Sequence, residues 1–135
     1  MFTSTGTLVS YVEQGQLKLI VEVDPQISVY YRSLIPKYCR VNRQRYAPHI
    51  SVVRDEEVYE WSDLPELVIF WYSGIIHHDD TYFWLEANSW DLQDLRVKLG
   101  LTSTSLITRS PDGEHDFHIT LGNTKYGKEV SSYIV

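Results

Sequence analysis

Cysteine is nearly absent: Cys39 is the only one in 135 residues. No intramolecular disulfide can form, a cysteine-based zinc site is excluded, and the composition suits a reducing cytosol. Long apolar runs are missing too. The longest, LVIFWYSGII at 67–76, is about half of the ~20 residues a membrane-spanning helix needs, so no membrane partner is expected. MFTSTGTLVS at the start has no basic segment followed by an apolar one, the order a secretory signal requires. These absences point to a soluble, cytoplasmic protein.

An excess of positive charge is also lacking. Twelve Lys and Arg stand against 18 Asp and Glu, a formal charge of −6. Proteins that track long nucleic acid draw most of their affinity from phosphate neutralisation, so a long duplex is not an expected partner. A small phosphorylated ligand needs only a local cluster of cations. KYCRVNRQR, residues 37–45, supplies one: Lys37, Arg40, Arg43 and Arg45, with no acidic residue among them. The plain reading is a solvated basic loop. Its place just upstream of His49 suggests another, a field that draws an anion toward the next strand.

What the chain does have is apolar and aromatic residues in strand-like order. At 43% hydrophobic and 13% aromatic it lies well above the disordered range, and its length suits one domain. TGTLVSYVE (5–13) and QLKLIVEVD (16–24) flank QGQ and predict a β-hairpin. Asp24-Pro25 predicts a cap and first turn for a helix through Ile27, Tyr30, Tyr31, Leu34 and Ile35, ended by Pro36. A strand follows at 47–54.

ELVIFWYSGIIHH (66–78) and TYFWLEAN (81–88) predict a second hairpin turning near HHDD. Ser89 caps a helix, SWDLQDLRVKL, that stops at Gly100. A strand at 103–109, a turn at SPDG (110–113), a strand at 115–122 and a closing strand in EVSSYIV complete the α+β reading. Each half thus runs hairpin, helix, histidine strand, with lobes of roughly 1–65 and 66–135 in one body.

The two histidine strands carry the chemistry. Side chains alternate along a strand. In APHISVV (47–53) His49 and Ser51 share one face; in FHITLGN (117–123) His118 and Thr120 do. A hydroxyl can donate to a phosphoryl oxygen while the imidazole exchanges a proton with an attacking or leaving oxygen. One such pair more often means a hydrogen-bonded histidine without chemistry. Two, at corresponding places in matching halves, can flank one phosphorus. One histidine starts neutral as base and the other protonated as acid, which a pKa near ~6.5 allows.

These motifs, HIS at 49–51 and HIT at 118–120, resemble the two-histidine (2H) phosphoesterase superfamily, defined by paired H-x-[ST] strands. The resemblance implies a bilobal α+β fold, with two pseudo-two-fold-related antiparallel-sheet lobes, helices outside and a central cleft. It implies His49 and His118 as the acid/base pair, Ser51 and Thr120 as phosphate donors, and no metal or other cofactor. Serine in the first motif is a conservative exchange for threonine, since both donate one hydroxyl hydrogen.

The implied substrates are small RNA-type nucleotides. They include 2′,3′-cyclic phosphates, 2′-5′ oligoadenylates, RNA ends in cellular repair, and the cyclic oligonucleotide signals of antiphage defence that a bacteriophage branch destroys in the host cytosol. A nucleotide sensor or sponge without turnover is the rival from another class, and a structural protein without a ligand is a third. The expected assembly is a monomer or weak dimer.

Further residues carry two readings each. His77, His78, Asp79 and Asp80 could ligate a metal, but neighbouring strand residues point apart, so a solvated turn fits better. Asp116, beside His115, shares the face of His118 and could orient it. Tyr11, Tyr46, Trp71 and Tyr82 could stack on a nucleobase, although aromatics in a small sheet usually serve the core. Tyr46 is preferred, because it adjoins both the basic loop and His49. Arg54 could contact phosphate or pair with Asp55 or Glu56.

Overall fold

A computed structural model describes residues 1–54, 56–58, 63–103 and 117–125. The elements are β1 (Phe2–Glu13), β2 (Gln16–Glu22), α1 (Pro25–Ser33), a 3-10 turn (Lys37–Cys39), β3 (Asn42–Arg43), β4 (His49–Val53), β5 (Leu67–His78), β6 (Tyr82–Asn88), α2 (Trp90–Lys98) and β7 (Phe117–Asn123). This is an α+β fold built on antiparallel pairs.

Local chemistry explains most boundaries. The first hairpin turns through Gln14 and Gly15, at φ 54° and 77°; two left-handed central residues match the twist of the flanking strands. The Asp24 side chain accepts from the Gln26 N–H at 2.9 Å and Pro25 opens α1, which is over before Pro36. Ser89 Oγ accepts from the Leu92 N–H at 3.2 Å and donates to the Ile69 carbonyl at 2.6 Å. One hydroxyl therefore caps α2 and ties it to β5. Gly100, at φ 81°, takes the left-handed position that follows a helix end.

The strands pair in the order β3-β7-β4-β2-β1-β5-β6, and β6 pairs again with β7. That last pairing joins the two ends, so six long strands close a ring, with the short β3 set against the end of β7. Read outward from the β4–β7 pair, each half contributes its strands in the same order: β4, β2, β1 on one side and β7, β6, β5 on the other. The halves are joined directly, by β1–β5 and by β4–β7.

A six-stranded ring is narrow enough for side chains to fill. Leu19 and Val21, Ile50 and Val52, Val68 and Phe70, Leu85 and Ala87, Phe117, Ile119 and Leu121 form one apolar cluster, each at most 4% exposed. Ile27, Tyr31 and Ile35 from α1, and Leu92, Leu95 and Leu99 from α2, join it. Residues of the opposite parity, such as Thr5, Thr7, Leu67 and Ile69, are exposed. The core is therefore inside the ring, and the alternate side chains of every strand point outward.

One ion pair is fully enclosed. Arg96, 0% exposed, donates to both oxygens of Glu56 at 2.8 Å, to the Val52 carbonyl at 2.7 Å and to the Thr102 carbonyl at 2.7 Å. It bolts α2 to a bulge in β4, where Val52 and Val53 are both buried beside the β2 register shift. Burying the guanidinium is tolerable because its donors are met by carboxylate and carbonyl oxygens.

The basic segment holds two elements with no sequence signature, the 3-10 turn and β3. Nothing there alternates, and Arg40 ends the turn in the left-handed region at φ 53° without being glycine. Of the predicted strands, the one at 103–109 (from 104 on), the SPDG turn and EVSSYIV lie outside the described residues, as do Asp55, His115 and Asp116.

Candidate functional site

Ile50 is the direct partner of Ile119 in the antiparallel β4–β7 pair. Counting one residue each way puts His49 opposite Thr120 and Ser51 opposite His118. Both isoleucines are 0% exposed, so the flanking four side chains share the outward face, and all four are half-buried. The result is a rectangle whose corners alternate: imidazole, hydroxyl, imidazole, hydroxyl. In an antiparallel pair the β-carbons of facing residues are usually about 5 Å apart and those of diagonal neighbours about 7 Å, which sets the scale of the rectangle and of its histidine diagonal.

Neighbouring strands extend the pattern. Glu22 on β2 is the register partner of His49, and Ile20 of Ser51. Glu86 on β6 is the partner of His118, and Trp84 of Thr120. One row across the barrel reads Glu22, His49, Thr120, Trp84; the next reads Ile20, Ser51, His118, Glu86. Turning the pair of rows by half a revolution maps carboxylate on carboxylate, imidazole on imidazole, hydroxyl on hydroxyl, and apolar on apolar. Each histidine therefore has a hydroxyl on one side and a carboxylate position on the other.

His49 Nδ1 lies 2.8 Å from the Ala47 carbonyl. A carbonyl only accepts, so the nitrogen that faces it carries the hydrogen and Nε2 is the nitrogen that can exchange a proton. His118 is likewise engaged.

Beyond Trp84, β5 adds His77, whose ring stacks on the indole with centroids 6.0 Å apart and planes at 19°. His77 Nε2 also stands 3.7 Å from Glu86 Oε1. His78 ends β5 and stacks on Phe83, and Asp79 and Asp80 make the turn: Asp79 accepts from the N–H groups of Thr81 at 2.8 Å and Tyr82 at 2.6 Å. Among the described residues no group of three or more His, Cys, Asp or Glu is placed to hold a metal ion.

The proposed substrate contacts are less concentrated. Arg43 is opposite Gly122, past the bulge that separates it from Thr120. Burial, and then the charge of Arg43 nearby, push the Arg32 guanidinium below its ordinary pKa. Two guanidinium groups, those of Arg32 and Arg43, therefore lie near one another at that end of the barrel. Arg45 and Tyr46 are exposed in the loop that leads into β4, Tyr46 at 73%. Arg54 follows the other end of β4, and the Glu56 carboxylate suggested for it is held by Arg96. Trp71 packs edge-on against Trp90 at 4.9 Å, beside the cap of α2. Tyr11 sits far along the first hairpin opposite Lys18; Tyr82 is the partner of Asn123.

Compared with known proteins, the chain matches no family model, no curated protein and no solved structure. Its chemistry has to be read from its own geometry. Glu22, Glu86 and Trp84 are the residues that motif reading passed over. The alternation in QLKLIVEVD and TYFWLEAN marks them as outward-facing, but only the register shows what they stand beside.

Proposed function

We propose that the chain is a two-histidine phosphodiesterase, acting without metal on small RNA-type nucleotides such as cyclic oligonucleotides or 2′,3′-cyclic and 2′-5′ phosphodiesters. The carrying observation is the rectangle of His49, Thr120, His118 and Ser51 fixed by the Ile50–Ile119 register. A tetrahedral phosphoryl group laid over its centre has a hydroxyl donor on each of two sides. It has an imidazole on each of the other two, the arrangement that in-line displacement with separate acid and base requires. The matching strand order of the two halves supports a pseudo-two-fold relation between them; in place of the expected central cleft, the four side chains lie on the outer face of the ring.

In a 3′-5′ linked substrate one imidazole takes the proton of the ribose 2′-hydroxyl, whose oxygen attacks phosphorus. The P–O5′ bond breaks as the other imidazolium gives its proton to the departing oxygen. A 2′,3′-cyclic phosphate is the product, and both histidines have exchanged protonation states. A 2′,3′-cyclic substrate would be opened by water through the same two transfers. Ser51 and Thr120 stabilise charge on the non-bridging oxygens throughout.

The test is incubation of the wild-type protein, His49→Ala and His118→Ala with cyclic dinucleotides, 2′-5′ oligoadenylate and a 2′,3′-cyclic nucleotide in excess EDTA, followed by chromatography. Product from the wild type alone is expected. Binding without product from any substrate would replace the enzyme by a nucleotide sensor.

A further inference from the structure

We infer that Trp84 forms a nucleobase subsite on one side only of the phosphate position, so that the substrate is gripped asymmetrically by one base. The inference rests on the two-histidine reading for where phosphate lies. Its starting point is the one unequal position in an otherwise symmetric double row: where one half places Trp84 beside Thr120, the other places Ile20 beside Ser51.

The indole is half-buried on the outer surface of β6. His77 stacks toward it from the β5 side, nearly parallel at 19°. Its other flank is the β7 side, where Thr120 is its direct register partner. With strands about 4.8 Å apart, the line from Trp84 to the midpoint between β7 and β4 spans about 7 Å. That is the reach of one ribose, from a base stacked near the indole to a phosphate above the rectangle.

Stacking on an indole accepts any base, because every base has a π-face. Glu86 adds a second contact. Its carboxylate, 47% exposed and next along β6, is an acceptor for ribose hydroxyls or for the amino groups of a base. His77 lies within 3.7 Å of it and so braces both indole and carboxylate from the outside. Ile20 offers no such surface, so the second nucleoside of a dinucleotide would not be held from that position.

Titration calorimetry with adenosine 5′-monophosphate and with ribose 5-phosphate tests this on the full chain. The wild type is expected to prefer the nucleotide by about tenfold, in the range a stacked base contributes. Trp84→Leu keeps apolar volume on the strand and should abolish that preference while leaving the ribose 5-phosphate affinity unchanged; Trp84→Phe should restore most of it. Ile20→Ala should leave it intact. An unchanged preference in Trp84→Leu, or a wild type that does not distinguish the two ligands, overturns the subsite. The outcome is independent of turnover. A Trp84-dependent preference in a protein that cleaves nothing would sink the enzyme and keep the subsite; cleavage with no such preference would do the reverse.

Discussion

Ile50 lies directly opposite Ile119 at the centre of the barrel wall, both without exposure to solvent. Because strand side chains alternate, that one pairing decides which way four polar neighbours point and which of them meet. A slip of one residue would send one histidine and its hydroxyl into the core. The pair is therefore the structural reason for the site, although neither residue can touch a ligand.

Replacing either histidine with alanine is expected to lower kcat/KM by roughly 10²–10⁴-fold, the usual contribution of a general acid or base. Far-UV circular dichroism and Tm should stay near wild type, since both rings sit on the outer face and leave no internal cavity. The double variant should be little worse than the poorer single, because acid and base act as a unit. Steady-state kinetics of the three proteins on one substrate checks all of this, and near-normal rates in both singles would end the mechanism.

Thr120→Val removes the hydroxyl but keeps the branched shape that strands favour. Loss of one donor to the phosphoryl oxygens should lower kcat by about 10²-fold, with no loss of stability. Ser51→Ala should act alike. A fall confined to KM in either variant would mean that the hydroxyl binds ground and transition states equally.

Much of this is legible in the sequence alone. The Asp24-Pro25 and Ser89 caps, both hairpins and the two motif strands follow from local chemistry, which sequence records directly. The grid does not. Whether His118 has Glu86 or some other residue beside it depends on register, and register is set by non-local pairing together with bulges at Leu19/Ile20 and Phe83/Trp84. The closure of the ring through β6 and β7 is non-local for the same reason. Arg96 shows a different gap: nothing local in α2 signals its burial, and only the fold brings Glu56 and the Val52 carbonyl to it.

Ile119→Ala should cost about 2–5 kcal/mol, the lost transfer free energy plus the cavity left in a packed interior. Ile50→Ala should cost a similar amount. The residues are direct partners, so the double variant should depart from additivity by more than ~0.5 kcal/mol. Urea denaturation of the four proteins, with m-values compared to verify two-state behaviour, supplies the cycle. Strict additivity would mean that the two side chains do not pack on each other.

Glu56→Ala leaves the Arg96 guanidinium buried without its carboxylate and is expected to cost about 3–5 kcal/mol. Arg96→Met paired with Glu56→Leu removes both charges and should recover most of that loss. The Val52 and Thr102 carbonyls would still lose a donor, so recovery should be incomplete. Thermal melts of both singles and the double decide it; a double variant as unstable as Glu56→Ala would locate the cost in those carbonyls instead of in the unpaired charge.

Asp79 sets how acid should act on the site. The Tyr82 N–H bond is the main reason its carboxyl lies below the ordinary carboxylate range; burial pushes the other way, and the Thr81 N–H reinforces the lowering. A folded-state pKa below the unfolded value of ~3.9 means that ionised Asp79 stabilises the fold at every pH above that value. The contribution is lost as pH falls through the depressed folded value. Asp79→Asn keeps an acceptor but not the charge, so the Tm advantage of wild type over this variant should be flat from pH 7 to about 5 and shrink below about 4. Asp79 is largely exposed, so the advantage should be small and should weaken with added salt. An advantage that grows on acidification would reverse the sign of the argument. Because this turn joins the strands that carry His77, Trp84 and Glu86, its loosening in acid should weaken nucleotide binding before the barrel itself unfolds.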